Sequence, residues 1–347
     1  MKMTMRWLGD TDPVRLDYIA QVPCIKGIVS ALDGIPVGEV WPIERLKALQ
    51  AKVEAVGLKL EVIESIPISE AIKLGLPERD AHIENYCQSI RHMGEVGIPT
   101  LCYNFMPGFD WMRSNLHYVH PDGSASSAYV NADIEAFDIS QGIEKRVAWT
   151  NAFSGEQLQA LIDRYQQVSE DQLFENFAYF LRCVVPVAEA SGVYLALHPD
   201  DPPWPIWGLP RIVRDQPTIQ RILDVVASPY HGLTFCTGSL GATLDNNLPA
   251  MIRAFAGRIN FFHARNVKVT GYHDFYEVAH PSECGSVNME AVIQALVDIG
   301  FTGPIRPDHG RMIWGETGIM GYGLHDRSLG AMYLYGLYQG MTYDRQY

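Results

Sequence analysis

Short apolar runs, rich in β-branched and aromatic residues, recur along the chain and alternate with longer amphipathic stretches. Eight of these runs fit strands: 4–8 (TMRWL), 25–29 (IKGIV), 58–63 (LKLEVI), 98–103 (IPTLCY), 192–197 (GVYLAL), 232–236 (GLTFC), 258–263 (RINFFH) and 303–307 (GPIRP). Few of them alternate apolar with polar residues. That is the pattern of parallel strands covered on both faces. Helices fit between them. Pro42 opens one that runs to Gly57, and another runs from about Arg79 to Val96, closed by Gly97. Ser154 with Gln157 reads as a capping box opening a stretch to about Ser191. Ser169 with Gln172 repeats the signal, so this stretch is one helix or two, and Pro186 is expected to kink its last part. Further helices fit at roughly 217–227, 247–256, 288–299 and 324–340. Eight strands alternating with helices, without a break in composition, predict an α/β fold of the (β/α)8 TIM-barrel type. An open doubly wound sheet is the alternative, and no GxGxxG follows the first strand to support its dinucleotide-binding form.

Length adds a question. A plain barrel of this kind needs about 250 residues, and the chain has 347. One catalytic domain over 1–347 therefore carries a surplus. Much of it falls at 107–152, after the fourth strand, in a stretch that holds Trp111, His117, Tyr118, His120, Tyr129 and Trp149. It is too long for an ordinary βα loop. On a barrel it would stand at the C-terminal face, as a lid or pocket wall, or as an arm between subunits.

Charge narrows the partners. Lys and Arg total 27 against 40 Asp and Glu, a net charge of −13. Nucleic acid is excluded as a partner by the lack of a basic footprint, and an anionic membrane surface is disfavoured for the same reason. A small anionic substrate stays open, because local arginines or a metal can oppose the overall field. No apolar run approaches the length of a membrane span, and the opening MKMTMRWLGD has no apolar segment of the secretory kind. Six cysteines, at 24, 87, 102, 183, 236 and 284, form no CxxC pair. They read as reduced thiols, and a cytoplasmic location is expected. A homo-oligomer is expected for an enzyme of this size, with a dimer favoured.

The chemistry gathers at the ends of the last four strands. The fifth ends in LALHPDD with His198, the sixth in LTFCTGS with Cys236, the seventh in NFFHARN with His263, and the eighth in IRPDHGR with Asp308 and His309. The intervals of 38, 27 and 45 residues from His198 through Cys236 and His263 to Asp308 are each about one βα unit. A barrel would bring these positions around one axis, where two imidazoles, a thiolate and a carboxylate close around a divalent cation. Taken singly, Cys236 reads as a small buried hydrophobe, either histidine as a hydrogen-bonded structural residue, and Asp308 as a helix cap. Their spacing is what argues for a shared site.

More polar residues share that face. Arg265 is two after His263 and Arg306 two before Asp308, so each shares its neighbour's inward side. Two guanidinium groups suit a substrate carboxylate, or else serve as ion-pair partners. Asn104 and His280 are candidates for hydrogen bonds to substrate hydroxyls. His309 adjoins a proposed ligand, and Gly310 is expected to let it swing inward. Tyr322, between Gly321 and Gly323, is a candidate for proton transfer or a packing residue.

Several blocks resemble the metal-dependent mannonate dehydratases of the xylose-isomerase-like barrel group. They are RWLG and DPV near the start, IVSALDGIPVGEVWP at 28–42, LHPDDPPWPIWGLPRI at 197–212, FHARNVK at 262–268, EVAHPS at 277–282, GPIRPDHGRMIWGE at 303–316 and GYGLHDR at 321–327. The resemblance implies a hydro-lyase that converts D-mannonate to 2-keto-3-deoxy-D-gluconate and water in hexuronate (glucuronate) catabolism. It implies manganese as the expected metal, with iron(II) or zinc as alternatives. It implies His198, Cys236, His263 and Asp308 as metal ligands and His309 with Tyr322 as the catalytic pair. A metal-dependent sugar or sugar-acid isomerase or epimerase on the same barrel is the competing function.

Overall fold

The structure is a computed structural model that describes residues 1–143 and 153–343. The described residues contain twelve strands. They are β1 (Lys2–Arg6), β2 (Gly27–Ser30), β3 (Lys59–Glu64), β4 (Thr100–Tyr103), β5 (Asn115–Val119), β6 (Ala125–Tyr129), β7 (Tyr194–Leu197), β8 (His231–Cys236), β9 (Ile259–His263), β10 (Val267–Gly271), β11 (Asp274–Glu277) and β12 (Pro304–Arg306). Eight of them close a parallel barrel in the order β1-β12-β9-β8-β7-β4-β3-β2. These are the eight runs expected from sequence, and the open-sheet alternative falls away.

The helices follow the stop and start signals. Helix Arg79–Val96 ends at Gly97 with φ 84°, a left-handed turn that glycine adopts without a Cβ clash. The expected long stretch is two helices, Gly155–Tyr165 and Glu170–Ser191. Ser154 closes a capping box with Gln157, and the Ser169 hydroxyl accepts from the Gln172 amide. The second helix continues through Pro186.

Register sets the site. Cys236 on β8 stands opposite His263 on β9, and Arg306 on β12 stands opposite His263 from the other side. His198 follows β7, and its amide donates to the Tyr103 carbonyl at 2.7 Å. One large apolar cluster fills the space between barrel and helices. A second, small one takes Val29, Val62, Cys102, Ala196 and Phe261 from five barrel strands.

The remaining four strands form a separate antiparallel sheet, in the order β10-β11-β6-β5. Here the structure adds what the pattern did not reveal. The described part of 107–152 supplies β5 and β6, and the connection after β9 supplies β10 and β11. Residues 144–152, with Trp149, lie outside the described residues. Strand β6 reads ASSAY and is buried throughout. Alanine and serine have low strand propensity and give no strand signal. Strand β6 also bridges to the segment after β12: the Met312 amide donates to the Ala125 carbonyl at 2.7 Å, and the Ala125 amide donates back at 3.1 Å.

Candidate active site at the C-terminal mouth of the barrel

A cavity of about 190 Å³ opens at the C-terminal ends of the barrel strands. Its lining includes Arg6, Glu64, Asn104, Trp111, His198, Asp201, Arg265, Arg306, Asp308, His309 and Tyr322. Cys236 and His263 are fully buried beside it.

The four residues at the strand ends come together. The donor atoms of His198, Cys236 and His263 lie within 4.8 Å of one another. Nε2 of His198 is 3.2 Å from Nδ1 of His263. Asp308 closes the group, with Oδ2 3.8 Å from the Cys236 Sγ and Oδ1 3.7 Å from Nδ1 of His263. Cys236 ends its strand, and Sγ accepts from the Ser239 hydroxyl at 3.2 Å and the Ser239 amide at 3.4 Å. Burial opposes protonation of His198, yet its hydrogen bond to Cys236 and that residue's charge raise its pKa to about 9. Burial and Arg306 hold His263 well below the ordinary range, so its ring is neutral with a lone pair to offer. Its Nε2 is buried without a hydrogen-bond partner among the described residues. This donor set attracts positive charge and fits a divalent cation.

The carboxylate of Asp308 is strongly held. Burial alone would push its pKa up, but Arg306 at 2.6 Å, with His309 and Arg265, keeps it well below the usual range. Arg306 also donates to Glu64 at 2.9 Å. Its Nε and Nη1 remain buried without hydrogen-bond partners among the described residues.

Two neighbours, Asp308 and His309, both face this site, and the backbone explains how. Asp308 takes φ 60°, a left-handed conformation uncommon for a residue with a side chain. The turn therefore lies at Asp308. The expectation that Gly310 supplies it is corrected: Gly310 matters for space, since a Cβ there would press on the Arg327 amide at 3.1 Å. His309 then meets Tyr322, with Nε2 2.8 Å from the phenolic oxygen. Nδ1 of His309 is 2.7 Å from Glu277 Oε1. Tyr322 is only 5% exposed, and burial raises its pKa above the ordinary value. Trp111 stands edge-on to the His309 ring, with centroids 5.6 Å apart.

The second arginine, Arg265, reaches Asp201 at 2.6 Å, Glu277 at 3.5 Å and Asp308 at 3.5 Å. A Cβ on residue 238 would collide with its Nε, so Gly238 gives it passage. Arg113 reaches the same two carboxylates, donating to Asp201 at 2.7 Å and Glu277 at 3.1 Å. Asn104 lines the cavity, with its side-chain amide 3.4 Å from Asp110 and its oxygen accepting from the Met106 amide at 3.2 Å. His280 is not brought to the cavity. It is buried behind the strand end, with Nε2 2.7 Å from the Pro307 carbonyl, so its expected contact with substrate is corrected to support of the chain just before Asp308. Sequence reasoning missed Glu64, Arg113, Asp201 and Glu277. Asp201 and Glu277 do stand in the quoted blocks LHPDDPP and EVAHPS, but as charged residues with no spacing that marked them.

The family model described as D-mannonate dehydratase (UxuA) matches residues 1–346. The chain belongs to the D-mannonate dehydratase family. The enzyme is thus a hydro-lyase, and the isomerase or epimerase alternative is set aside. It is 51% identical over 344 residues to mannonate dehydratase 2 of Halalkalibacterium halodurans, covering 99% of this chain and 100% of that protein. It is 50% identical over 353 residues to a mannonate dehydratase of Thermotoga neapolitana, covering 99% and 98%. Among solved structures, the mannonate dehydratase of Streptococcus suis serotype 2 superposes with a TM-score of 0.93 at 46% identity, covering 99% of this chain and 96% of that one. A D-psicose 3-epimerase from Clostridium cellulolyticum H10, at 13% identity and a TM-score of 0.56, shares the fold alone.

Proposed function

We propose that this cavity binds D-mannonate and eliminates water from it, giving 2-keto-3-deoxy-D-gluconate within hexuronate catabolism. The observation that carries the reading is the placement of His198, Cys236 and His263, closed by Asp308, at a cavity lined by the hydrogen-bonded His309–Tyr322 pair in a dehydratase-family chain. His198, Cys236, His263 and Asp308 would hold the cation. Manganese is the metal the resemblance favours, with iron(II) and zinc as alternatives. Bound there, the cation supplies Lewis-acid polarisation of the substrate carboxylate.

The residues do the rest. Arg306, with two buried donors lacking partners, receives the carboxylate. Arg265 holds Asp201 and Asp308 in place at the same wall. Asn104 lies on the lining, where it meets a substrate hydroxyl. Tyr322 passes its phenolic proton to Nε2 of His309 and, as phenolate, takes the proton from C2. The electron pair moves toward the carboxylate and returns to form the C2–C3 double bond as hydroxide leaves C3. His309 gives its extra proton to that hydroxide, which departs as water. Tyr322 is left with the proton from C2, so the pair ends as it began. The enol then tautomerises to the 2-keto acid. The six free cysteines support a reducing, cytoplasmic setting. We place the described part of 107–152 in the pocket wall, since Trp111 lines the cavity.

Tyr322→Phe and His309→Asn test the pair. Each should lower kcat by on the order of 10²–10⁴-fold while metal content stays at the wild-type level. Wild-type turnover in either variant would remove that residue from the acid–base role.

A further inference from the structure

We infer that Glu277, delivered to the barrel mouth by the second sheet, is a positioning residue that fixes His309 with Nε2 facing Tyr322 as a proton acceptor. This rests on the acid–base reading of the pair given above.

The geometry at Nδ1 of His309 decides the sense of the hydrogen bonds. Two groups approach that nitrogen: Glu277 Oε1 at 2.7 Å and Nη1 of Arg265 at 3.1 Å. A carboxylate only accepts and a guanidinium only donates, so Nδ1 cannot satisfy both. The shorter, charge-assisted contact is to Glu277, and it puts the hydrogen on Nδ1. Nε2 is then bare. It faces the phenolic oxygen of Tyr322 at 2.8 Å, and the phenol must donate. Without Glu277 the Arg265 donor would face Nδ1 alone and favour the opposite tautomer. That tautomer turns an N–H toward the phenol and blocks the transfer.

Charge balance alone does not explain this aim. Asp201 already accepts from both buried arginines, at 2.7 Å from Arg113 and 2.6 Å from Arg265. A second carboxylate is needed to neutralise the two cations, but nothing in that requires its closest contact to be an imidazole. The contacts of Oε1 to Arg113 at 3.1 Å and to Arg265 at 3.5 Å are both longer than the one to His309. Against its burial, the contact with His309 first, and then Arg113 and Arg265, keep the carboxylate ionised.

The backbone of Glu277 is pinned as well. It ends β11, which pairs with β10 on one side and β6 on the other. The Ser126 hydroxyl on β6 donates to the Glu277 carbonyl at 2.8 Å. The same β6 bridges to Met312, three residues after His309. One sheet therefore holds both ends of the Glu277–His309 contact. In the reaction the O–H bond of Tyr322 breaks and an N–H bond forms at Nε2. The positive charge that appears on the ring meets a carboxylate already in place, with no reorganisation at that moment.

The test is a mutant cycle on the manganese-loaded full-length enzyme with D-mannonate, with metal content measured on the same samples. Glu277→Gln keeps the shape and removes the charge. Its kcat should fall on the order of 10²–10⁴-fold with KM and metal content unchanged. Combined with Tyr322→Phe it should cost nothing further, because both changes disable one unit. Glu277→Asp keeps the charge, so the arginines stay neutralised if the amide variant does not fold. It withdraws the carboxylate by about 1.5 Å, one C–C bond, and should lower kcat in the same direction. Wild-type kcat in both variants overturns the proposal. So does a loss that multiplies with Tyr322→Phe, or one in which KM and metal content change with kcat. A Tyr322→Phe enzyme that turns over normally overturns the acid–base reading itself, whereas a normal Glu277→Gln enzyme leaves that reading standing.

Discussion

Side chains in this molecule are legible from sequence in proportion to how far strand position fixes them. His198, Cys236, His263 and Asp308 each end or follow a barrel strand, so the period of the fold predicts their meeting. The register of the strands also places Arg306, which ends β12 and pairs with His263. Past the strand end that rule lapses. Sequence gives no reason why His309 faces inward beside Asp308; the left-handed Asp308 does. Nor does it show that His280, in the loop after β11, lies behind the strand end. A histidine far from this chemistry carries a pH prediction. His231 begins β8 at the opposite end of the strand from Cys236, and burial pushes its pKa down to about 4. The unfolded chain, with a value near 6.5, therefore takes up the proton first as pH falls. The stability this neutral ring contributes is complete above about pH 6.5 and is lost as pH falls toward 4. Between pH 7.5 and 5 the loss from this one group is about 2 kcal/mol. His231→Gln, followed by urea unfolding at both pH values, should show a pH slope shallower than wild type by that amount. An unchanged slope would contradict the buried, neutral assignment.

At the scale of elements, barrel strands announced themselves as apolar runs between helix caps, while the second sheet did not. One of its strands is mostly alanine and serine, and the pairing that joins its two halves is distant in sequence: Phe275 pairs with Tyr129. Only the folded chain shows that the segment after the fourth barrel strand and the connection after β9 form one layer. That layer is tied to the barrel by buried charge. Arg113, two residues before β5, is fully buried between Asp201 and Glu277, and its guanidinium lies over Trp111 at 4.5 Å and Phe275 at 4.9 Å. Removing one partner of such a group leaves uncompensated buried carboxylates. Arg113→Met should cost about 3–5 kcal/mol of stability in denaturant titrations. A change within about 0.5 kcal/mol, the range of an ordinary surface substitution, would show that the sheet is not anchored there.

The whole molecule joins an acidic exterior to an interior mouth where arginines collect. Arg6, Arg265 and Arg306 all line the cavity of a chain with net charge −13. Asp33, Glu64, Asp110, Asp201 and Asp308 line it too, so a small sugar acid would be met by individual guanidinium groups and a bound cation, not by an excess of positive charge. Among the described residues no helix is long and apolar enough to cross a membrane. The same barrel carries epimerases at 13% identity, so fold alone would not choose between isomerisation and loss of water. Membership of the dehydratase family makes that choice. The most direct test is a chelate-and-restore assay on D-mannonate that follows formation of the 2-keto-3-deoxy acid. Product should form with the loaded enzyme, stop after chelation and return with manganese, while Cys236→Ala binds less metal and recovers poorly. Product formation that survives complete metal removal, or no 2-keto-3-deoxy acid with any of manganese, iron(II), zinc or magnesium, would contradict the account.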